Sequence, residues 1–299
     1  MESILTLIAP VEGRGLSDAD ADAARAILAG KNATTGATDW LATGTACEIP
    51  FSGLDTVSAG AAVRAELAGR SIDAVAQPAT GRRKRLLVAD MESTIIENEM
   101  LDELAEEFGL RDRISAITAR AMAGELDFES ALRARVAMLE GMSSAALDRA
   151  LTAIRVMPGA ATLVATMRAN GAYCALVSGG FDFFTNRVRR RLGFDYDQAN
   201  RLEIAGGVLT GRLAGPILGR AAKRDALDRL SQMLGITPEE AITVGDGAND
   251  LDMLATAGTG VAYRAKPIVA ESAHARIDHG DLTALLYLQG YRRDEFHHP

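Results

Sequence analysis

The stretch Leu86-Leu87-Val88-Ala89-Asp90-Met91-Glu92-Ser93-Thr94 decides both the fold and the chemistry of this chain. Its apolar run follows the basic cluster at residues 82–85 and ends in a carboxylate, with a second carboxylate two residues later. An apolar run bounded by charges is typical of a buried central strand in a parallel sheet. Ligands of such sheets bind beyond the carboxyl ends of the strands, so Asp90 and Glu92 are candidate catalytic residues. Taken alone, the stretch fits a plain strand-to-loop transition with solvated acids equally well.

The same pattern recurs twice downstream. Residues 172–177 are apolar and are followed by Ser178-Gly179-Gly180, and residues 241–244 are followed by Gly245-Asp246-Gly247-Ala248-Asn249-Asp250. Helical patterns separate the three runs, which favours right-handed crossovers within a single parallel sheet. We therefore predict an α/β fold in which a glycine-containing turn at 178–180 and the two acidic strand ends share one crevice.

Composition narrows the class of protein. The chain has 299 residues, 48% hydrophobic and 24% charged, which suits about two domains with a full core. Its net charge of -8 argues against a nucleic-acid partner, which would need a basic face. Because the apolar residues 4–10 are too few to cross a bilayer and lack a basic flank, we expect no membrane partner and a cytoplasmic location.

The first 80 residues predict a separate module. Apolar alternation and helix caps give the order βαββαβ within about 77 residues, which indicates a small α+β, ferredoxin-like domain. A linker rich in Pro, Gly and basic residues occupies 78–84, so we place the boundary between domains 1–80 and 81–299 there. Whether the module binds an amino acid or makes a homodimer is left open by the sequence.

An all-helical insert is expected between the first and second strands of the main sheet. Residues 97–156 contain four helical patterns, so they predict a small bundle that covers the crevice as a cap. Phe128 and Arg135 are two turns apart on its third helix and share a face. Core packing for Phe128 and solvation for Arg135 are as consistent with the pattern as a role in binding.

The strand ends carry the residue types of a phosphoryl-transfer site. Asp90 and Asp246 are a natural pair of oxygen ligands for Mg²⁺, and the sequence has no Walker A motif. The Ser178 hydroxyl and glycine amides can donate to phosphate oxygens, and Lys223 can neutralise developing charge. Asp90 is then placed to attack phosphorus, while Glu92 protonates the leaving oxygen and later deprotonates water.

These motifs resemble the four motifs of the haloacid dehalogenase-type phosphatases, and over residues 85–290 the chain is similar to the phosphoserine phosphatase family. That resemblance implies a Rossmann-like parallel sheet with a helical cap, O-phosphoserine as the small-molecule substrate, and Mg²⁺ as cofactor. It also implies serine biosynthesis as the pathway. The N-terminal module is similar to the ACT-like extension that some members carry.

The resemblance also implies individual roles. Glu99 meets the substrate ammonium and Arg135 its carboxylate, with Met122 and Phe128 beside them in the cap. The other substrate-binding residues that it implies are Ser178, Gly179, Gly180 and Asn249. Ser178 and Lys223 join Asp90 and Glu92 as the predicted catalytic residues. Mg²⁺ is held by Asp90, the backbone carbonyl of Glu92, and Asp246, with Asn249 and Asp250 supporting.

One departure from the family pattern bears on the rate. The family has aspartate at the position of Glu92, and the extra methylene moves the carboxyl group by roughly 1 Å, a misplacement that can lower the rate by about 10²-fold.

Two alternative functions remain open: a phosphotransferase that passes the phosphoryl group from Asp90 to an alcohol such as homoserine, and a non-catalytic serine or phosphoserine sensor. Product analysis with and without added alcohol distinguishes a phosphotransferase from a phosphatase. A trapped aspartyl-phosphate without release of phosphate would indicate the sensor.

Overall fold

The N-terminal part of the chain forms an antiparallel sheet covered by two helices. The computed structural model describes residues 1–122 and 125–298, without the side chains of residues 121 and 122. In chain order the N-terminal elements are β1 (Ser3–Ile8), α1 (Asp18–Gly30), β2 (Thr34–Thr35), β3 (Asp39–Ala42), β4 (Ala46–Ser52), α2 (Thr56–Glu66) and β5 (Asp73–Pro78).

The pairing of these strands is that of a ferredoxin-like fold. The order is β2-β4-β1-β5, with β3 also on β4, and every pair is antiparallel. Leu5 and Leu7 of β1 face α1 and α2, while Ile8 points to the opposite face of the sheet and joins the core of the main domain. This alternation follows from the two-residue period of a strand. The arrangement supports a boundary near residue 80, which stays a prediction.

The remainder of the chain builds a seven-stranded sheet with helices on both faces. Its first strand and the four cap helices are β6 (Leu86–Ala89), α3 (Met100–Glu107), α4 (Arg111–Met122), α5 (Phe128–Ala137) and α6 (Ala145–Leu151). There follow α7 (Ala160–Ala169), β7 (Tyr173–Phe181), α8 (Asp182–Leu192), β8 (Tyr196–Ala205), β9 (Val208–Ala214), α9 (Arg220–Leu234), β10 (Ala241–Gly245), α10 (Leu251–Thr256), β11 (Thr259–Tyr263), α11 (Pro267–Ser272), β12 (Ala275–Ile277) and α12 (Ala284–Leu288). Among the described residues, no helix is both long and apolar enough to cross a bilayer.

The predicted parallel sheet is confirmed. Its order is β12-β11-β10-β6-β7-β8-β9, and each neighbouring pair is parallel apart from β8 and β9. Leu86 and Val88 of the central strand pack toward α9 and α10, whereas Leu87 and Ala89 pack toward α7 and α12. Burial on both faces explains why the sequence of β6 is a continuous apolar run rather than an alternating one.

The expected turn at residues 178–180 is wrong. Strand β7 continues through these residues to Phe181, and its register against β8 shifts between Val177 and Phe181. Asn200 of β8 accounts for the extended course, since its amide Nδ2 donates to the Gly179 carbonyl oxygen at 2.8 Å. The glycines therefore allow neighbouring groups to approach this strand end closely, and the chain does not reverse its direction there.

The cap has the four predicted helices, but its two connections to the sheet are paired. Residues 95–97 run antiparallel to residues 155–157. The Glu97 amide donates to the Arg155 carbonyl and the Met157 amide donates to the Ile95 carbonyl, each at 2.9 Å. The cap thus leaves and rejoins the sheet through one two-stranded neck.

A hairpin from the sheet edge also contacts the cap. Strands β8 and β9 are joined by Gly206-Gly207, as predicted, and both glycines have the positive φ that a two-residue turn needs. Backbone hydrogen bonds of 2.8–2.9 Å link this hairpin to residues 141–144, which connect α5 to α6. We call this contact the hairpin brace. Gly211 allows it, because a Cβ there would lie 2.9 Å from the Cβ of Glu140.

Asp73 joins the two sheets. It is the first residue of β5, it is buried, and its carboxylate accepts the backbone N–H groups of Asp278, His279 and Gly280 just beyond β12. Without this acceptor the buried Gly280 amide and the partly buried amides beside it would lose their partner, which is costly. The Asp73 carboxylate therefore ties the N-terminal module to the edge of the main sheet.

We expect Asp73→Ala to lower the free energy of unfolding by about 2–4 kcal/mol, because it leaves one buried and two partly buried N–H groups without an acceptor. Asp22→Ala, at an exposed position of α1 in the same module, should change it by less than about 0.5 kcal/mol. Urea denaturation measures both variants, and equal effects would contradict the role assigned to Asp73.

Candidate active site

The floor of the crevice is a buried ion cluster. The Lys223 ammonium lies 2.8 Å from a carboxylate oxygen of Asp90 and also bonds Asp250, and all three side chains are almost fully buried. Asp90 follows β6, Asp250 follows β10, and Lys223 lies in the first turn of α9. The parallel register of β6 and β10, in which Ala89 pairs with Val244, brings the ends of the two strands together. The Gly247 amide, which donates to the Asp250 carboxylate at 3.0 Å, then holds Asp250 in the turn beyond β10.

A third carboxylate completes an acidic cluster that suits a metal ion. One oxygen from each of Asp90, Asp246 and Asp250 lies within 4.8 Å of the others. The Thr94 hydroxyl donates to Asp246 at 3.3 Å. Both oxygens of Asp250 already accept hydrogen bonds, one from Lys223 and the other from the Gly247 amide. Asp90 and Asp246 therefore keep oxygens available. Carboxylate oxygens crowded in this way are the donors that hard divalent cations take, so the residues fit such an ion.

Burial and crowding of the carboxylates shift the pKa values of the cluster. Burial, with the neighbouring charges of Asp250 and Asp246, raises the pKa of Asp90 to about 7 against the opposing Lys223. Burial and the charges of Asp250 and Glu99 raise the pKa of Asp246 to about 6. Burial alone would lower the pKa of Lys223, but Asp90 and Asp250 raise it above its usual value. The three carboxylates together thus carry more negative charge than Lys223 alone balances.

Ser178, Gly179 and Gly180 lie beside Asp90 at the end of β7. The Ser178 Oγ accepts the Gly180 amide at 2.9 Å, which leaves the hydroxyl proton free to donate. The Asn200 side chain fixes this segment, because its Nδ2 donates to the Gly179 carbonyl while its Oδ1 accepts the Leu218 amide at 2.7 Å. The result is a strand end whose two glycines line the crevice, with the Ser178 hydroxyl buried beside them.

Glu92 and Glu99 lie above the floor, where β6 leads into the cap. Burial raises the pKa of Glu92 to about 8, and the negative charges of Glu99 and, to a smaller extent, Asp90 add to this shift. A glutamate with such a pKa holds a proton at neutral pH, as a general acid must. The Glu99 carboxylate accepts the Ser93 hydroxyl at 2.7 Å, and Ser93 has a left-handed backbone with φ of 54°.

The cap places Phe128 and Arg135 over this floor. Phe128, 39% exposed, reaches across from the start of α5, with its ring 3.5 Å from where a Cβ of Gly179 would stand. Arg135 is half-buried, and its Nε donates to the Ala131 carbonyl. Burial lowers the pKa of the Arg135 guanidinium, while the charges of Asp102, Glu92 and Glu99 oppose that shift.

A cavity of about 630 Å³ lies between floor and cap. Of the predicted site residues, those that line it are Asp90, Glu92, Glu99, Phe128, Arg135, Gly179, Gly180, Asp246 and Asn249. Ser178, Lys223 and Asp250 are buried at its floor rather than on its wall. The Met122 side chain lies outside the described residues.

The same cavity is lined by charged residues that sequence reasoning missed. Lys266 and Arg220 are on its wall, and Asp102 lies in the cap near Arg135. Arg220 is held by Asp252 through two hydrogen bonds, whereas the Lys266 charge acts to lower the pKa of Asp246. Lys266 follows β11, so the strand-end rule applied to a fourth strand would have found it. Nothing in the sequence pattern marks Arg220 or Asp102.

Comparison with known proteins points to one family. A family model described as haloacid dehalogenase-like hydrolase matches residues 87–255, from β6 to α10. A phosphoserine phosphatase from Streptomyces coelicolor is 42% identical over 254 residues, 84% of this chain and 62% of that protein. A phosphoserine phosphatase from Polaromonas sp. is 46% identical over 210 residues, 68% of this chain and 89% of that protein. The chain spans about half to two thirds of the length of the first curated relatives it matches.

Solved structures extend the similarity to the whole chain. A HAD family hydrolase from Salmonella enterica serovar Typhi superposes with a TM-score of 0.84 at 31% identity, covering 98% of this chain and 99% of that chain. That coverage includes the N-terminal sheet, so the combination of both sheets is shared with that protein.

Charge crowding at the floor gives a stability prediction. Asp246→Asn removes one charge from the cluster, so in chelator we expect the free energy of unfolding to rise by about 1–3 kcal/mol. Added Mg²⁺ should stabilise the wild type, by about 2.7 kcal/mol at a hundred times its Kd, and leave the variant unchanged. Thermal denaturation with and without Mg²⁺ measures both effects.

Asp225→Asn is the matched control, since Asp225 is an exposed acid of α9. It should respond to Mg²⁺ as the wild type does. A metal-free Asp246→Asn protein less stable than the wild type would show that the carboxylates do not strain the fold.

Proposed function

The chain belongs to the haloacid dehalogenase-like hydrolases, and from that premise we propose that it is a Mg²⁺-dependent phosphoserine phosphatase. It would hydrolyse O-phospho-L-serine to L-serine and phosphate, the closing step of serine synthesis. One observation carries the proposal: a floor of Asp90 and Lys223 faces Arg135 and Glu99 of the cap across a single cavity. The relatives named phosphoserine phosphatase support the same substrate.

The floor residues bind the phosphate. Lys223 uses two of its three ammonium protons on Asp90 and Asp250, so the third is available to a phosphate oxygen. The Ser178 hydroxyl and the Gly179 amide at the end of β7 add neutral donors. Donors fixed by buried neighbours need no reorganisation when charge develops on the phosphoryl group.

The cap residues bind the amino-acid part. The planar guanidinium of Arg135 matches a carboxylate, which it can hold by two parallel hydrogen bonds. Glu99 offers a carboxylate to the ammonium group, and Phe128 closes the cavity against water over Gly179. A zwitterion attached to a phosphate meets a complementary charge at each of its three charged groups.

The chemistry has two steps. The Asp90 carboxylate attacks phosphorus, the bond from phosphorus to the serine oxygen breaks, and Glu92 donates its proton to that oxygen. Glu92 then takes a proton from water as the water oxygen attacks the aspartyl-phosphate, and phosphate leaves with Asp90 restored. Mg²⁺, held by Asp90, Asp246 and the main-chain carbonyl of Glu92, would neutralise phosphoryl oxygens and favour the ionised form of Asp90.

Asp90→Asn removes the nucleophile, so we expect phosphate release from O-phospho-L-serine to fall by about 10³-fold or more. Wild-type activity should require Mg²⁺ and disappear in chelator. Acid quench with labelled substrate should trap label on the wild type and none on the variant. An added alcohol such as homoserine should leave phosphate yield unchanged, whereas transfer to the alcohol would indicate a phosphotransferase.

Asp225→Asn again serves as the control and should keep wild-type turnover. Phosphate release by Asp90→Asn at wild-type rates would rule out the proposed nucleophile. Label trapped on Asp90 without release of phosphate would instead indicate a sensor.

Arg135→Met tests whether Arg135 binds the substrate carboxylate. We expect KM for O-phospho-L-serine to rise by about 10²-fold, because a charged hydrogen bond is lost. O-phosphoethanolamine lacks the carboxylate, so its kcat/KM should change by less than about threefold.

The matched control is Arg133→Met on the same helix, where the side chain is exposed and paired with Glu129. It should leave both substrates unaffected. An equal loss for both substrates in Arg135→Met would mean that Arg135 supports the cap and does not select the carboxylate.

A further inference from the structure

The Glu92 side chain connects the catalytic loop to the first helix of the cap. Its Oε1 accepts the backbone N–H of Met100 at 2.9 Å. Met100 is the first residue of α3, with Glu99 at the N-cap, so this N–H belongs to the set that a helix leaves without an internal partner. The carboxylate of the proposed acid and base is therefore held by the start of the cap.

The opposite side of the Glu92 carboxylate rests against a glycine. A Cβ on Gly180 would lie 2.8 Å from Oε2 and 3.0 Å from the carboxyl carbon. The group thus occupies a slot between the bare backbone of β7 and the start of α3. An aspartate, one bond of about 1.5 Å shorter, would withdraw from the Met100 amide.

Building on the proposed function, we propose that the Met100 amide is a positioning group for Glu92. The glutamate is the side chain whose length spans from β6 to α3, and its carboxylate takes its working position only when α3 lies over the floor. One oxygen is fixed by the amide, which leaves the other to carry the proton exchanged with the serine oxygen or with water.

A neighbouring contact supports this coupling. The Ser93 hydroxyl bonds the Glu99 carboxylate at 2.7 Å, so consecutive residues of the loop are each tied to consecutive residues at the start of α3. The acid that exchanges protons and the acid that would meet the substrate ammonium are placed by the same helix end. The position of α3 therefore sets the positions of both groups together.

Replacement of Met100 by proline tests the role of the amide. Proline is tolerated at the first position of a helix and removes the N–H, while the extended Glu99 backbone suits a residue before proline. Met100→Ala loses the same buried side chain but keeps the N–H, so it is the matched reference. We expect kcat/KM for O-phospho-L-serine to be about tenfold lower in Met100→Pro than in Met100→Ala.

Acetyl phosphate separates positioning from general damage. Its acetate leaving group departs without a proton, so formation of the aspartyl-phosphate does not need the acid. Because kcat/KM reports this first step and not the later hydrolysis, kcat/KM for acetyl phosphate should agree within about twofold between the two variants. Equal values for O-phospho-L-serine, or equal losses with both substrates, would overturn the proposal. Failure of the wild type to release phosphate from O-phospho-L-serine would instead contradict the proposed function.

Glu92→Asp provides a second test that leaves α3 intact. We expect it to lower kcat/KM for O-phospho-L-serine by about 10–100-fold, since the shorter side chain cannot reach the amide. In that background the difference between Met100→Pro and Met100→Ala should vanish, as in a double-mutant cycle. An unchanged or higher value for Glu92→Asp would show that the site is not built around a glutamate.

Discussion

The Lys223 ammonium lies between the carboxylates of Asp90 and Asp250, and much of the fold serves to keep this ion group out of water. Like charges assemble in such a place only if the backbone forces them together. Here the segments that follow the paired strands β6 and β10 supply the two carboxylates, and α9 supplies the cation. Burial and the neighbouring acids raise the pKa of Asp90, as expected for a carboxylate that the fold holds close to others of the same charge. A bound divalent cation would relieve part of this repulsion.

Strand ends made the floor predictable from the sequence. Asp90 and Asp246 each follow a continuous apolar run, and parallel strands bring such ends to one edge whatever the intervening residues are. The glycines at 178–180 misled, because small residues after a strand are typical of a turn. Their straight course depends on the Asn200 side chain, which comes from the next strand and has no local signature.

Contacts between distant elements were beyond the sequence pattern. The Met100 amide, the Asp73 carboxylate and the pairing of 95–97 with 155–157 all join segments whose approach is fixed only by the completed fold. A periodicity reveals which face of a helix is apolar, but it does not show where the helix begins relative to a loop on another layer. That is why the length of Glu92 read as a misfit in the sequence, whereas in the structure it spans a gap.

The hairpin brace limits how the cap can move. A rigid body attached at two separate places turns only about the line joining them, and here those places are the paired neck and the connection between α5 and α6. The C-terminal end of α5 is anchored by the brace, while its N-terminal end, some 13 Å away by helix rise, contacts the floor through the Phe128 ring. A movement of the cap that admits substrate would therefore be a rotation about that axis, and the Phe128 ring, far from the hairpin brace, would move the most.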